Sequence, residues 1–304
     1  MRGHCEVILK TMQPVEYVGH ECVPLENGIV QLLVTRSVGP RIISFGFKDG
    51  INLLAQVPDM HVNLPDGGIF HFRGGHRLWH APEELSTTYI PDNDPVEVNS
   101  QGNGLLVTQK AQAKTGLQKS LEILPTGESQ ITINHRIANR GSNAVTCAPW
   151  AITQFKTGGV AILPQAKHNM GMLPTRSVAL WSYSDMSNLN VTWGKEYILV
   201  SARMESAFKI GFPNPRGWLA YWLDGTLFVK RANFDPQAQY CDFGSSSECY
   251  CNGQFLELET LAPLAAIPPG ESATHVETWE LYKNIEDPHN EREALSLMEK
   301  LSLP

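Results

Sequence analysis

Apolar and polar residues alternate over short runs along most of the chain, with Gly, Pro, Asn and Asp gathered between the runs. IVQLLVT (Ile29 to Thr35) leads through Gly39-Pro40 into RIISFGF, which stops at Lys48-Asp49-Gly50. LLVTQ, LQKSLEIL, QITINHRIAN and AVTCAPWAITQF follow, and later YILVSA, WLAYWL, TLFVKR, QFLELETL and ATHVETWELY. A period of two sends successive side chains to opposite faces of a strand, so the pattern predicts antiparallel strands, with LEIL-PTGES-QITIN the clearest hairpin. Only the tail, DPHNEREALSLMEKLSL, reads as helical: Asp287 as cap, Pro288 in the first turn, and Leu297, Met298 and Leu301 on one face. The stretch from Gly158 to Ser206 is less regular and reads as long loops. No repeat or linker divides the sequence. The expectation is an all-β chain, one domain over residues 1–304, built as a sandwich of two large, mostly antiparallel sheets with a short C-terminal helix.

Composition narrows the partners. The 304 residues are 42% hydrophobic and 18% charged, as in globular proteins. The net charge is −7 with no run of lysines or arginines, which argues against nucleic acid and against an anionic membrane surface. No apolar run approaches the ~20 residues of a membrane span. The opening MRGHCEVILKTMQPVEY breaks its apolar residues with Glu6, Lys10 and Glu16 and lacks the apolar core of a signal peptide. Six cysteines are scattered, and the nearest pair, Cys249 and Cys251, has C-x-C spacing. Reduced thiols in a cytoplasm are the expectation.

Two segments carry the candidate chemistry. FHFRGGHRLWHAPEE, Phe70 to Glu84, packs three histidines, two arginines and a tryptophan around Gly-Gly. A pocket wall needs this mixture of apolar bodies and a few orienting polar groups. His76 and His80, four apart, share a face in either a strand or a helix. His71, His76, His80 and Glu83 are ligand types that zinc uses, but H-R-L-W-H lacks the internal Glu of the helical H-E-x-x-H motif; neither metal nor cofactor is expected. The second segment is CNGQFLELETLAPLAAIPPGESATHVETWELY, Cys251 to Tyr282. On its strand Phe255, Glu257 and Glu259 share one face, and the two carboxylates stand roughly 6.6 Å apart by strand rise. Taken alone, such a pair reads as readily as a solvated outer face, with Phe255 partly covered, as it does as functional carboxylates. Elsewhere, Lys209 precedes a loop with Arg216 and Trp218 and reads as an exposed strand end or as the rim of an acidic or hydroxylated ligand's site. Asp242, before Phe-Gly, reads as a turn residue or a contact for sugar hydroxyls. Trp150, Trp222 and Trp279 read as core.

FLELETLAPLAAIPPGES resembles the late strand and turn of the aldose 1-epimerase superfamily, which includes galactose mutarotases and glucose-6-phosphate epimerases. FRGGHRLWHAPE resembles the Arg-Gly-Gly segment of its sugar-phosphate branch, and RSVGPRIISFGFKDGINLL its early glycine-arginine hairpin. The resemblance implies a β-supersandwich that binds a monosaccharide or sugar derivative and interconverts its anomers by acid/base ring opening. It places Glu259 at the catalytic base and Arg73 at the sugar-site arginine, with Arg41 inside the hairpin. The family's acid histidine corresponds to Ile152, which donates no proton, so His80 or His76 is the expected acid. Arg77, Trp79, Glu257 and Lys209 are the expected further substrate contacts. Two other functions stay open. One is a sugar-binding or sensing protein without turnover, which Ile152 favours. The other is a glycoside hydrolase or lyase, because carboxylates ~6.5–9.5 Å apart suit inverting hydrolysis.

Overall fold

The computed structural model describes residues 13–167 and 171–303; Cys5, Glu6 and Lys10 lie outside them. Two large antiparallel sheets face each other, one of eleven strands and one of ten among the described residues, and a separate pair joins Gln56–Asn63 to Ile69–Gly74. The all-β sandwich expected from the alternation is therefore what the chain forms.

The two sheets differ in how wet they are. In the ten-stranded sheet, Leu117–Pro125 alternates buried and half-buried residues along its length, as a strand with one face on the core and one towards water should. The central strands of the eleven-stranded sheet do not alternate. His76–Ala81, Phe208–Phe212 and Leu256–Leu261 are buried at every position. Their inner face meets the other sheet through Phe45, Leu78, Phe155, Phe228, Leu258 and Trp279. Their outer face lies under loops and carries the polar residues described below.

The Gly-Gly pair sets which side chains point where. Arg73, Gly74 and Gly75 have φ of 58°, 89° and 74°, three consecutive left-handed residues that turn the strand Ile69–Gly74 into His76–Ala81. A side chain at Gly74 would put its Cβ 2.0 Å from the Ala55 carbonyl oxygen, and at Gly75 2.3 Å from that of Ile42. Only glycine fits this corner. Beyond it, His76, Leu78 and His80 turn inward, and Arg77 and Trp79 outward.

Two expectations need correction. The helix is Glu291–Lys300 and its cap is Asn290, not Asp287: Asn290 accepts from the Glu293 amide, and the Glu293 carboxylate accepts from the His289 amide. That reciprocal pairing outcompetes the earlier start. Ala294 and Met298 then bury against the outside of the ten-stranded sheet, with Leu297 and Leu301 partly covered beside them. The stretch read as loops contains regular strands, Val160–Pro164 and Val191–Trp193, besides the expected Tyr197–Ser201. VAILP is buried at every position, so it shows no alternation to read.

Candidate functional site

Side chains on the outer face of the eleven-stranded sheet line up in rows across neighbouring strands. One row runs Arg77, Ile152, Glu259, Glu248, Gly211; the next runs Gln154, Glu257, Tyr250, Lys209. Over these rows opens a cavity of about 170 Å³. Its polar lining includes Arg77, Lys209, Glu257 and Glu83, and its aromatic walls include Trp79, Trp150, Tyr89, Tyr183 and Tyr250. A larger hollow of about 460 Å³, lined by Pro174, Val178, Ile198, Phe212, Pro213 and Phe234 among others, has no carboxylate in its lining among the described residues. Size favours that hollow, but chemistry favours the smaller cavity.

Three ion pairs, made by two cations, organise the smaller cavity. Arg77 Nη2 donates to Glu257 Oε1 at 3.1 Å, and its guanidinium lies 4.3 Å from the centre of the Trp79 ring. Lys209 Nζ sits 2.7 Å from Glu248 Oε2 and 3.0 Å from Glu259 Oε2, with the rings of Trp150 and Trp181 at 4.7 and 4.6 Å. Trp150 Nε1 also donates to Glu259 Oε2, at 2.8 Å, and Glu259 Oε1 has no partner. Glu259 is thus buried behind Lys209 and Trp150, which border the cavity, whereas Glu257 borders it directly.

The electrostatics follow from burial. Burial raises the Glu257 carboxyl to about 7; Arg77 opposes that rise and the charge on Glu259 adds to it. Burial also raises Glu248, against the pull of Lys209. For Lys209, burial disfavours the charge, but Glu259 and Glu248 outweigh it and hold the amine well above the usual lysine range. The site therefore combines a persistent ammonium with a carboxyl that exchanges its proton near neutrality.

No protein-family model and no curated protein matches this sequence. Solved structures do match in shape. A galactose mutarotase-like protein from Lactobacillus casei superposes with a TM-score of 0.56 at 9% identity, covering 86% of this chain and 100% of that one. A proposed aldose 1-epimerase from Klebsiella pneumoniae gives 0.60 at 11%, covering 96% and 86%. The Slr1438 protein from Synechocystis gives 0.57 at 12%, covering 90% and 99%. The fold is the galactose mutarotase-like sandwich.

Within that sandwich the residues singled out from sequence separate into two groups. Arg77, Trp79, Glu257 and Lys209 line one cavity, with Glu259 directly behind it. Ile152, at the position where the resemblance puts an acid histidine, forms part of the cavity's lining. His76 and His80 do share a face, but it is the inner one. His76 Nδ1 pairs with Thr153 Oγ1 at 2.9 Å and its Nε2 with His135 Nε2 at 2.7 Å, between the two sheets. His80 is also buried on that side, where burial and then Lys119 lower it to about 3. Neither imidazole faces Glu259, so neither can serve as its acid partner. Arg41 and Arg73 leave the list of sugar contacts too. Arg41 is fully buried on Gly74 O and Asp92, and Arg73 binds Asp92 and Asn93; together they brace the glycine corner.

Trp150 is not simple core, since it both walls the cavity and holds Glu259. Trp279 is core, as expected. Tyr89 and Tyr183 carry no signal in the sequence, and Glu83 stands out there only as a zinc-ligand type. Glu83 and Tyr89 bond each other at the mouth, and both follow the tryptophan segment. Glu248 had a signal: in SECYC it shares parity with Tyr250 on the strand beside the Glu257 strand. His76, His135 and Glu277 also place ligand-type atoms within 4.8 Å of one another. Glu277 is already taken by Lys230 at 2.8 Å, by Thr260 and by Trp279, so a cation there would have to displace a buried ammonium.

Proposed function

We propose that this cavity binds a monosaccharide or sugar derivative and that the chain interconverts its anomers as an aldose 1-epimerase-like isomerase. The observation that carries the reading is the pair Glu257 and Glu259, on one strand face, beside Lys209, Arg77 and two tryptophans at a single small cavity. Its volume, about 170 Å³, is below the ~300–1,000 Å³ of drug-sized sites and suits one sugar ring. Trp79 or Trp150 offers a face for the ring's C–H side, and Arg77 and Lys209 supply donors for hydroxyls.

Anomer exchange needs a base for the anomeric hydroxyl and an acid for the ring oxygen. The acid's proton goes to the ring oxygen, the base takes the hydroxyl proton, and the bond between C1 and the ring oxygen breaks to give the open aldehyde. Rotation about C1–C2 and the reverse transfers close the other anomer. We assign the acid to Glu257, which carries its proton near neutral pH and borders the cavity. We assign the base to Glu259 through its unpaired Oε1. Reaching it requires Lys209, which pairs with Glu248 as well at 2.7 Å, and Trp150 to move aside. Glu257 thus takes the acid role that the sequence expectation gave to His80 or His76, beside Glu259 as the base.

A second reading, sugar binding without turnover, is favoured by one feature: Glu259 is fully buried and Ile152 lies where the acid histidine would be. Saturation-transfer NMR on a panel of aldoses separates the two. Exchange that is present in the wild type and lost in Glu257→Gln and Glu259→Gln supports the isomerase. Binding without exchange in all three proteins supports the sensor.

A further inference from the structure

Strand Leu117–Pro125 buries every second residue, and Leu117, Leu121 and Ile123 at those positions belong to the core between the sheets. Lys119 takes the inward position between Leu117 and Leu121. A lysine where the pattern calls for an apolar side chain breaks the local rule, and such breaks gather at functional sites. Lys119 is only 4% exposed, and among the described residues its Nζ makes no hydrogen bond or ion pair. It lines a small cavity of about 10 Å³, room for one water-sized occupant. Arg77 and Trp79 line both this cavity and the one at Glu257. Arg77 donates through Nη2 to Glu257, while its Nε and Nη1 are buried without a partner. Gln109, also buried in the lining, adds a side-chain amide that makes no bond among the described residues.

The charges around the cavity do not balance. Four cations, Arg41, Arg73, Arg77 and Lys119, meet two carboxyls, Asp92 and Glu257. Asp92 lines the cavity, but its two oxygens are held by Arg73 and Arg41. Glu257 is paired with Arg77 and carries a proton part of the time near neutral pH. Two further groups close to Lys119 supply no negative charge. Burial and then Lys119 itself lower His80 to about 3, and burial holds the Cys147 thiol up at about 11. Burial pulls the Lys119 amine down to about 8, with Asp92 opposing, so it is mostly protonated at pH 7. A buried ammonium without a counter-charge is costly, and buried charges are ordinarily paired. An anion the size of a water molecule, seated in this cavity, supplies that counter-charge and accepts from the free donors.

We propose that this cavity is a halide site, holding one chloride ion on Lys119 Nζ with Arg77 and Gln109 beside it. The site needs no sugar, so it stands or falls apart from the isomerase reading. Bromide, a heavier halide of the same charge, is the probe. Wild-type crystals grown in sodium bromide should show one anomalous scatterer within hydrogen-bond reach of Lys119 Nζ. In solution, chloride-35 NMR should show a chloride signal broadened by the protein and sharpened again by bromide competition. Lys119→Met removes a charge-assisted donor and should weaken chloride about ten-fold or more. Lys119→Gln, which keeps a donor but not the charge, should also weaken it. A water alone at this position in the bromide crystals overturns the proposal, and so does chloride binding that both variants retain at wild-type strength. If neither variant folds, the bromide position in the wild-type crystals decides.

Discussion

At the residue scale, Glu257 decides how the site responds to pH. Its carboxyl is raised to about 7, so the protonated fraction needed for donation falls as pH rises through that value. Exchange measured as kcat/KM should therefore decline above about pH 7, and Glu257→Gln should cost about 10²-fold or more. A pH-independent rate across pH 6–9 would remove Glu257 from the acid role. Lys209 makes a separate prediction. Replacing it by Met leaves Glu248 and Glu259 buried without their shared cation, and losing one partner of a buried pair costs about 3–5 kcal/mol. Urea unfolding of Lys209→Met should show a loss of that size, whereas Lys48→Met, at an exposed ion pair, should change stability by less than ~1 kcal/mol.

At the scale of elements, the glycine corner converts sequence into site. Because it fixes parity, Arg77 and Trp79 reach the cavity and His76 and His80 the core. Gly74→Ala meets a carbonyl 2.0 Å from the new Cβ and needs a left-handed backbone as well, so it should destabilise by ~3 kcal/mol or more or prevent folding. Gly28→Ala, equally left-handed but in open space, should cost only ~1–2 kcal/mol. Equal losses in the two variants, read from urea midpoints, would contradict the steric account of the corner.

The same corner marks the limit of what the sequence disclosed. Alternation in LQKSLEIL and QITINHRIAN located strands, and parity put Glu257 and Glu259 on one face, because those facts are local. Parity also showed that His76 and His80 share a face. Which face it is depends on the turn before them and on the sheet they meet, and HRLWHA, buried at all six positions, has no wet side to reveal it. Trp150 and Glu248 were obscured for the same reason: a buried polar floor has the apolar-rich texture of a core strand until its neighbours are known.

At the scale of the whole molecule, the two sheets are joined by a polar network as well as by apolar packing. His76, His135 and His275 are buried together, with His135 Nδ1 donating to His275 O and His275 Nε2 at 2.6 Å from Thr260 Oγ1. Burial lowers all three imidazoles, His275 to about 3, against the partial opposition of Glu277. The unfolded chain takes up these protons below about pH 6.5 and the folded one does not. Stability present above that pH is therefore lost as pH falls, by up to ~1.4 kcal/mol per pH unit for each imidazole. Glu257 and Glu248, both raised by burial, work in the opposite direction, since their folded forms take up protons above the ordinary carboxylate range, but His80 is lowered too, so these two carboxyls stand against four imidazoles. The urea midpoint should fall from pH 6.5 to pH 4.5; a flat or rising midpoint would show that the imidazoles are not held neutral between the sheets.

The central claim is that two carboxyls on one strand face exchange protons with a sugar held beside Lys209 and Arg77. Saturation-transfer NMR on the aldose panel tests it most directly, comparing the wild type with Glu257→Gln and Glu259→Gln. The account predicts anomer exchange above the uncatalysed rate for at least one aldose, reduced about 10²-fold or more by either substitution. Exchange at full rate in both variants, or none above background for any aldose in the wild type, would contradict it.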